Sequence, residues 1–214
     1  MIFVSTGGIK EATAYNTALT FIEHGINGIE LSGGAYEEII FSKYQKLLDL
    51  ATFQVHNYFP PPKNPFVFNL ASTNNLIAEK SINHAKNAIK LSAALERPIY
   101  SLHAGFLLDP KVSQLGKPID TLHVNDRNLC LDLFLERITS LAEYASFNNV
   151  QLLIENNVIS DRNIKIFRAD PFLMTTPKEA KIIMENTPSN VNMLLDVAHL
   201  KVSANSLNFD RHEM

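Results

Sequence analysis

The stretch Gln151-Leu152-Leu153-Ile154-Glu155 is a short apolar run that ends in a carboxylate. A run of this length and composition predicts a buried β-strand. The same pattern, an apolar run bounded by polar residues, glycine or proline, occurs six times along the chain. The six runs are Ile2–Ser5, Gly28–Leu31, Phe53–His56, Ile99–His103, Gln151–Glu155 and Asn192–Asp196. We therefore expect six strands.

Amphipathic helical segments lie between these runs. Apolar residues recur at helical spacing in Ala12–Glu23, Glu37–Leu50, Asn75–Leu95 and Leu131–Phe147. The sequence Thr176-Pro177-Lys178-Glu179 predicts an N-cap, a first-turn proline and a capping-box acid, opening a further helix to Glu185. Strands that alternate with helices predict a parallel sheet. No G-x-G-x-x-G loop follows the first strand, which disfavours a dinucleotide-binding fold. The prediction is an α/β fold of the (β/α)₈ TIM-barrel type.

The length of the chain limits how much of a barrel it can form. A complete (β/α)₈ barrel typically needs about 250 residues, and this sequence has 214. We expect about six of the eight βα units in a single partial barrel domain, residues 1–214. We expect the sixth helix to begin only at Asn208, so that strands seven and eight have no sequence to come from. An open barrel exposes its sheet edges, which predicts association, for example a homo-oligomer that covers the open edge.

The composition is that of an ordinary globular protein. Hydrophobic residues make up 46% and charged residues 19%, and the net charge is −3. Nucleic-acid binders usually present a basic face, so a nucleic-acid partner is disfavoured. The single cysteine, Cys130, excludes an intrachain disulfide and favours a reducing, cytoplasmic location. No run approaches the roughly 20 apolar residues of a membrane span, so no membrane partner is expected.

Polar side chains close five successive predicted strands. They are Glu30, His56, His103, Glu155 and Asp196, with His199 three residues after Asp196. In a parallel barrel the active site lies at the carboxyl ends of the strands, so these groups are expected to converge. A single histidine at a strand end is more often a structural residue than a ligand. Glu155 and Asp196 each follow a buried apolar run, where a carboxylate must be paired, hydrogen-bonded or metal-bound.

The mixture of carboxylates and imidazoles indicates a divalent-metal site. These groups suit Mn²⁺, Zn²⁺, Co²⁺ or Fe²⁺, and no thiolate is nearby to favour zinc alone. The spacing of Asp196 and His199 allows both side chains to face one centre. A divalent ion there could polarise a substrate carbonyl and stabilise an enediolate, while Glu155 or a neighbouring carboxylate moves the proton.

Other candidate residues have simpler explanations. Cys130 occupies an apolar helical position and is expected in the core. His24, His84, His123 and His212 fall on helices or loops and are expected to be solvated. The loops Pro60–Ala71 and Leu107–Asn125 are long, which in such folds indicates substrate-facing lids.

The strand-end sequences resemble those of the xylose isomerase-like barrels, a superfamily that includes sugar-phosphate isomerases and epimerases and the endonuclease IV type of apurinic endonuclease. The resemblance covers essentially the whole chain. The matching stretches are Val55-His56-Asn57-Tyr58, Phe68-Asn69-Leu70-Ala71-Ser72, Ser101-Leu102-His103-Ala104-Gly105, Leu153-Ile154-Glu155-Asn156-Asn157 and Leu194-Leu195-Asp196-Val197-Ala198-His199.

This resemblance implies a role for each matching residue. Glu155 matches a metal-binding glutamate that also transfers a proton in the epimerases, so it is the expected catalytic residue, and Asp196 matches a metal ligand. His56, His103 and His199 match zinc ligands of the endonuclease branch, and His199 also matches a substrate-binding residue of the epimerases. The predicted substrate-binding set is Glu30, His56, His103, Asn157 and His199, of which Glu30 matches no ligand of the family. The expected cofactor is a divalent metal, Mn²⁺ or Zn²⁺.

The resemblance leaves three functions open. The first is a divalent-metal-dependent sugar or sugar-phosphate isomerase or epimerase, with a small-molecule sugar or sugar phosphate as its partner. The second is an endonuclease IV-like apurinic endonuclease in DNA repair, which the acidic pI disfavours. The third is a non-catalytic barrel remnant that acts in binding or assembly. Both catalytic branches take further ligands from strands seven and eight, which this sequence does not include.

Overall fold

The computed structural model describes residues 1–9, 13–38, 41–114 and 123–214. Six parallel strands form one sheet in the order β1-β2-β3-β4-β5-β6. The strands are β1 (Val4–Ser5), β2 (Gly28–Leu31), β3 (Thr52–His56), β4 (Ile99–His103), β5 (Gln151–Glu155) and β6 (Val191–Leu194). Sequence order equals spatial order because helices connect the strands, which is the arrangement of a TIM barrel. The predicted fold class is confirmed.

Seven α-helices lie in the described parts of the chain. They are α1 (Ala14–Glu23), α2 (Phe41–Gln45), α3 (Asn75–Ala94), α4 (Arg127–Phe147), α5 (Asp161–Phe167), α6 (Pro177–Glu185) and α7 (Val197–Leu207). The Thr176 hydroxyl accepts a hydrogen bond from the Glu179 amide, so the predicted N-cap of α6 is present. The Glu179 carboxylate instead accepts from the Met174 amide and the Arg127 guanidinium, so it does not close a capping box.

The expectation of a sixth helix beginning near Asn208 is wrong. Helix α7 follows β6 directly, because the Asp196 carboxylate accepts a hydrogen bond from the His199 amide and so caps the helix. The predicted last strand, Asn192–Asp196, is also shifted: β6 ends at Leu194, and Asp196 already belongs to the helix start. Helix α5 was not predicted. It begins at Ser160, whose hydroxyl and the Asn163 side chain form a reciprocal cap.

The predicted helix Glu37–Leu50 is shortened to α2. The chain leaves helical geometry after Gln45 and continues in turns to Leu50. Ile40 from this prediction, and Ala12 from the start of the first predicted helix, lie outside the described residues. Tyr44 is nevertheless fully buried, so the expected apolar side of this segment does pack inward.

The two faces of the sheet differ in chemistry. One face carries fully buried apolar side chains that pack against the helices: Ile29, Phe53, Val55, Tyr100, Leu102, Leu152 and Ile154. The alternating residues on the other face are largely polar: Glu30, Gln54, His56, Ser101, His103 and Glu155. Because side chains alternate along a strand, the register that buries the first set also presents the second set together.

Two expectations about single residues have opposite outcomes. Cys130 is fully buried in α4, as predicted for a core residue. His84 on α3 is only 6% exposed, so the expectation that it is solvated is wrong. Its ring stacks on Tyr58 and meets the edges of Phe66 and Phe68.

Within the described ranges no helix is both long and apolar enough to cross a membrane.

Candidate metal centre

Strand pairing brings three of the predicted residues to one place. His56 is in register with Ser101 on β4, and His103 is in register with Glu155 on β5. Residues paired across adjacent parallel strands point to the same side of the sheet, so the side chains of His56, His103 and Glu155 converge. The ring centroids of His56 and His103 are 5.5 Å apart.

Glu155 lies at the centre of the cluster. Its Oε2 atom is 3.3 Å from Nε2 of His56 and 3.8 Å from Nδ1 of His103. Its Oε1 atom is 3.3 Å from Nδ1 of His199. Asp196 completes the group, with its Oδ2 atom 3.7 Å from Nε2 of His199. The five predicted metal ligands are therefore brought together, although the sequence spreads them over residues 56–199.

Neighbouring polar groups orient two of the imidazoles. Nδ1 of His56 lies 2.8 Å from the Ser101 hydroxyl, which leaves Nε2 directed at Glu155. Nδ1 of His199 lies 2.8 Å from the carbonyl oxygen of Asn156. A carbonyl oxygen only accepts, so we assign the proton of His199 to Nδ1, which leaves Nε2 able to bind a metal.

Two hydrogen bonds between the Asn156 side chain and the Asp196 backbone fix Asp196 relative to β5. The Asp196 amide donates to Oδ1 of Asn156 at 2.7 Å, and Nδ2 of Asn156 donates to the Asp196 carbonyl at 3.1 Å. Because Asn156 directly follows Glu155 and is fully buried, these bonds tie the two carboxylate-bearing segments to each other. The Asp196 side chain is fixed as well, since it caps α7.

Burial dominates the electrostatics of the cluster. Burial, with the charges of Asp196 and Glu30 adding to it, raises the pKa of Glu155 to about 8. Burial and the neighbouring imidazoles of His56 and His199 lower the pKa of His103 to about 3. Burial also lowers the pKa of His56, against the charge of Glu30, which acts in the opposite direction. The close contacts of Glu155 with His56 and His103 are therefore contacts between groups whose charged forms are disfavoured by burial.

The unsatisfied atoms of the cluster fit a metal ion. Nδ1 of His103 and Oε2 of Glu155 are both buried, and neither has a hydrogen-bond partner among the described residues. Buried polar atoms are almost always paired, so two such atoms 3.8 Å apart point to a missing partner. Two overlapping triads have ligand atoms within 4.8 Å of one another: His56, His103 and Glu155, and Glu155, Asp196 and His199. Imidazole nitrogen and carboxylate oxygen suit Mn²⁺ or Zn²⁺.

The remaining predicted residues, Glu30 and Asn157, lie near the cluster in different ways. Glu30 is half-buried on β2, and its charge adds to the raised pKa of Glu155 and opposes the lowering of the pKa of His56 by burial. The Asn157 amide donates to the carbonyl oxygens of Ala104 and Leu173, so its donor capacity is used within the protein. A substrate-binding role for these two residues stays a prediction.

Sequence reasoning missed Ser101, Asn156 and Asn57. Ser101 was named only as part of a stretch that matches the family, without a role of its own, but it holds the His56 ring. Asn57 follows His56 with a left-handed backbone (φ 44°), and its side-chain oxygen is buried without a partner in the described parts of the chain. The period of two along a strand could have found Ser101, since it shares a face with His103.

Comparisons with known proteins place the chain in a family. The sequence profile described as "Xylose isomerase-like TIM barrel" matches residues 21–211. A comparison with curated protein sequences finds no significant match. Similar solved structures include a D-tagatose 3-epimerase-like protein, with 17% identity over 98% of this chain and 70% of that chain and a TM-score of 0.66.

Two other solved structures show the range of the fold. A xylose isomerase-like TIM barrel protein from Mycobacterium smegmatis in complex with magnesium has 18% identity over 89% of this chain and 59% of that chain (TM-score 0.60). An AP endonuclease, family 2, from Brucella melitensis has 15% identity over 94% of this chain and 70% of that chain (TM-score 0.61). At such identities the likeness shows the fold alone.

The chain spans between 59% and 70% of the length of these three structures. The profile match covers most of the sequence and includes the segments that carry His56, His103, Glu155, Asp196 and His199. Six parallel strands in sequence order agree with it. The chain belongs to the xylose isomerase-like TIM barrel family.

Proposed function

We propose that this chain carries the metal site of a divalent-metal-dependent sugar isomerase or epimerase, in which Glu155 transfers the proton. The observation that carries the proposal is the position of Glu155 at the meeting point of three imidazoles and Asp196, as a buried carboxylate with one oxygen that is unpaired among the described residues. The family, and the D-tagatose 3-epimerase-like protein of the same fold, support a sugar as the substrate.

The arrangement divides the roles among the residues. His56, His103, Asp196 and His199 would hold the divalent ion together with Glu155. When bound, such an ion polarises a substrate carbonyl and stabilises the negative charge of the enediolate. Ser101 and Asn156 position the imidazoles, because each fixes one ring nitrogen.

Glu155 suits proton transfer because of its surroundings. A general base is most effective when its pKa lies near the working pH, and burial raises the pKa of Glu155 to about 8 in the metal-free cluster. Only 4% of the residue is exposed, so bulk water competes little for its oxygens. A proton taken from a carbon next to a carbonyl can therefore be held on Glu155 and returned to the substrate.

Calorimetric titration of the metal-free protein with Mn²⁺ and Zn²⁺ tests the metal site. We expect binding at micromolar concentration or better that Asp196→Ala loses. Asp210→Ala is the matched control, because Asp210 also caps a short helix but lies outside the cluster. Equal binding by all three proteins would place the metal elsewhere. The absence of binding in every case would favour the non-catalytic remnant.

Proton transfer itself is tested by incubating the metal-loaded protein with free ketohexoses in D₂O. We expect ¹H NMR to show loss of the hydrogen next to the carbonyl as deuterium is incorporated. Metal binding without any exchange on the four D-ketohexoses and their 6-phosphates would contradict the isomerase or epimerase proposal.

An endonuclease is the second candidate, and one observation favours it. Three imidazoles, rather than carboxylates alone, surround Glu155, and the resemblance matches all three to zinc ligands of the endonuclease branch. The net charge of −3 opposes binding to a polyanion. Incision of a duplex with one abasic site by the Zn²⁺-loaded protein, lost in His103→Ala, would favour this candidate over the first.

We also propose that residues 1–214 form one partial barrel domain whose open edges pair with a second copy. Within the described residues β1 and β6 each pair with one strand only. Val4 is 36% exposed and Leu195, just after β6, is 42% exposed. Edge strands beside apolar side chains favour association. Sedimentation velocity would show a dimer if this is correct, and a monomer at all concentrations if it is not.

A further inference from the structure

A cavity of about 290 Å³ opens beside the candidate metal centre. His103 belongs to its wall, so the cavity adjoins the cluster around Glu155. The other lining residues come from the chain after β3 and from the chain after β4. They are Asn57, Tyr58, Pro65, Phe66, Val67, Phe68, Phe106 and Val112. This cavity is called the side pocket below.

The walls of the side pocket are apolar and aromatic. Tyr58, Phe66, Phe68 and Phe106 contribute rings, and the Tyr58 hydroxyl oxygen accepts a hydrogen bond from the Phe66 amide at 2.7 Å. A second recess of about 240 Å³ shares Phe106 and His103 with the side pocket. Among the described residues, neither cavity is lined by a lysine or an arginine.

The side pocket is formed before any ligand arrives, because Asn69 joins its two walls. The Asn69 amide donates to the Phe106 carbonyl and the Asp109 carboxylate, and its oxygen accepts from the Phe106 amide. The loops also approach closely at Gly105, where an added Cβ would lie 2.3 Å from the Cβ of Ala71. A rigid apolar cavity of fixed shape selects ligands by chemistry rather than by adapting to them.

Two lining residues, Asn57 and His103, each carry a buried polar atom that has no hydrogen-bond partner among the described residues. Oδ1 of Asn57 is buried without a partner in the described parts of the chain, and Asn57 follows His56 directly at the end of β3. The backbone of Asn57 is fixed, since its amide donates to the Ser101 carbonyl and its own carbonyl accepts from the Tyr100 hydroxyl. The side pocket is therefore largely apolar, and its unpaired polar atoms, Oδ1 of Asn57 and Nδ1 of His103, belong to residues at the strand ends.

We propose that the side pocket binds the end of the sugar that is remote from the reacting carbonyl, and that this end is apolar: the preferred substrate is an unphosphorylated deoxy-sugar with a terminal methyl group. This inference rests on the proposed function and narrows it. One hydroxyl of the substrate donates to Oδ1 of Asn57, and the methyl group lies among Phe66, Phe68 and Phe106. A phosphate at the same end would meet aromatic rings and no described cation.

The size of the preference follows from desolvation. A terminal hydroxyl placed in this pocket loses its hydrogen bonds to water and finds few partners, whereas a methyl group loses nothing and gains apolar contact. A discrimination of about tenfold or more is expected for such a change in an apolar pocket. A phosphate dianion loses far more hydration, so its binding should be weaker again by about a hundredfold.

The test uses three forms of each of the four D-ketohexoses: the free sugar, its 6-deoxy analogue and its 6-phosphate. Dissociation constants are measured by calorimetry on the metal-loaded protein, and hydrogen exchange in D₂O is followed in parallel. We expect the 6-deoxy form to bind about tenfold or more tighter than the free sugar, and the 6-phosphate to bind weakest. Tighter binding of the free sugar or of the 6-phosphate, or no binding by any form, overturns the inference.

The two readouts separate this inference from the proposed function. A 6-deoxy preference without hydrogen exchange supports the side pocket and contradicts the isomerase or epimerase. Hydrogen exchange without a preference for the 6-deoxy form supports the isomerase or epimerase and contradicts the inference about the side pocket. Each result therefore counts against one statement only.

A substitution at the edge of the side pocket tests whether an added cation there improves the binding of a phosphate. Val112 lines the pocket and is 42% exposed, so Val112→Lys adds an ammonium group there without opening the core. It should shift the ratio of 6-phosphate to 6-deoxy binding by about tenfold toward the phosphate. Val202→Lys on α7 is the control, since Val202 has a similar exposure of 40% and does not line either recess. An unchanged ratio in Val112→Lys would mean that the sugar end lies elsewhere.

Discussion

His84 on α3 and His103 at the end of β4 are similar in the burial of a ring nitrogen and in their lowered pKa values. Each has one buried ring nitrogen with no hydrogen-bond partner among the described residues, and burial lowers the pKa of each, to about 4 and about 3 respectively. Their neighbours differ. His84 lies among Tyr58, Phe66 and Phe68, whereas His103 lies between the rings of His56 and His199 and beside Glu155.

The comparison shows that burial and a shifted pKa do not identify a functional histidine. An imidazole among aromatic rings packs as a flat ring, and it stays neutral because burial disfavours its protonated form. An imidazole whose neighbours are all potential ligands has a lone pair directed at a shared point. The distinguishing property is therefore the chemistry of the surrounding atoms.

The largest expected effect comes from removing the shared carboxylate. Glu155→Gln keeps the shape of the side chain but cannot take up a proton and binds metal poorly. Turnover in a deuterium-exchange or epimerisation assay should fall by about 10²–10⁴-fold, the usual contribution of a general base. Full turnover in this variant would show that Glu155 has no catalytic role.

The fold should survive the same substitution. With its pKa raised to about 8, Glu155 is mostly protonated and uncharged at neutral pH in the metal-free chain, as glutamine would be. Circular dichroism of the metal-free protein should therefore stay close to that of the wild type, and its urea midpoint at neutral pH should be no lower. Glu143→Gln on the exposed side of α4 is the matched control and should change neither activity nor stability.

The second expected effect is a pH dependence of stability that originates at His84. Burial lowers its pKa from 6.5 to about 4, so the unfolded chain binds the proton first as the pH falls. The free energy of unfolding should decrease between pH 6.5 and about 4, by up to about 3 kcal/mol. His84→Phe should remove this decrease in urea titrations. An identical pH profile for both proteins would mean that His84 is solvated after all.

The titration of Glu155 should change the free energy of unfolding of the metal-free chain with pH in the direction opposite to that of His84. Because its pKa is raised from 4.5 to about 8, the folded chain keeps the proton longer than the unfolded chain. Its contribution to the free energy of unfolding therefore decreases as the pH rises from about 4.5 to about 8. Urea titrations of wild type and Glu155→Gln across this range measure it. Equal profiles would mean that the carboxyl is not desolvated.

The smallest expected effect concerns a residue that acts through His56. Ser101→Ala removes the hydroxyl that orients the His56 ring, and such supporting contacts are typically worth about 10–100-fold in metal affinity. The calorimetric dissociation constant for Zn²⁺ should rise accordingly. Ser92→Ala on α3 is the control, because this serine is also fully buried but bonds only to its own helix. A similar affinity for both variants would remove Ser101 from the site.

Much of the architecture was predictable because each strand is a short apolar run of its own. All six strands, and the convergence of the five candidate ligands, were expected, since parallel strands bring their carboxyl ends to one edge. The helix boundaries were harder to predict from the sequence. Helix α7 depends on one cap by Asp196, which was interpreted as the end of a strand. Helix α5 is only seven residues long, too short to show an apolar period.

The supporting contacts could not be predicted from the sequence because they depend on long-range geometry. The bonds between Asn156 and Asp196 join residues 40 positions apart. His84 was misjudged for the same reason. Its helix places it toward the loop after β3, and only the folded loop brings Tyr58, Phe66 and Phe68 around the ring.

The paired bonds between Asn156 and Asp196 also have a consequence for motion. The Asp196 amide lies outside β6, where an ordinary loop amide is replaced by deuterium quickly, but here it is held at 2.7 Å by a buried side chain. Its replacement requires the end of β5 to separate from the start of α7. The lifetime of this one amide therefore measures how long the two carboxylate-bearing segments stay aligned. A long lifetime before metal is added would mean that the ligands are ordered during folding and that binding needs little further ordering.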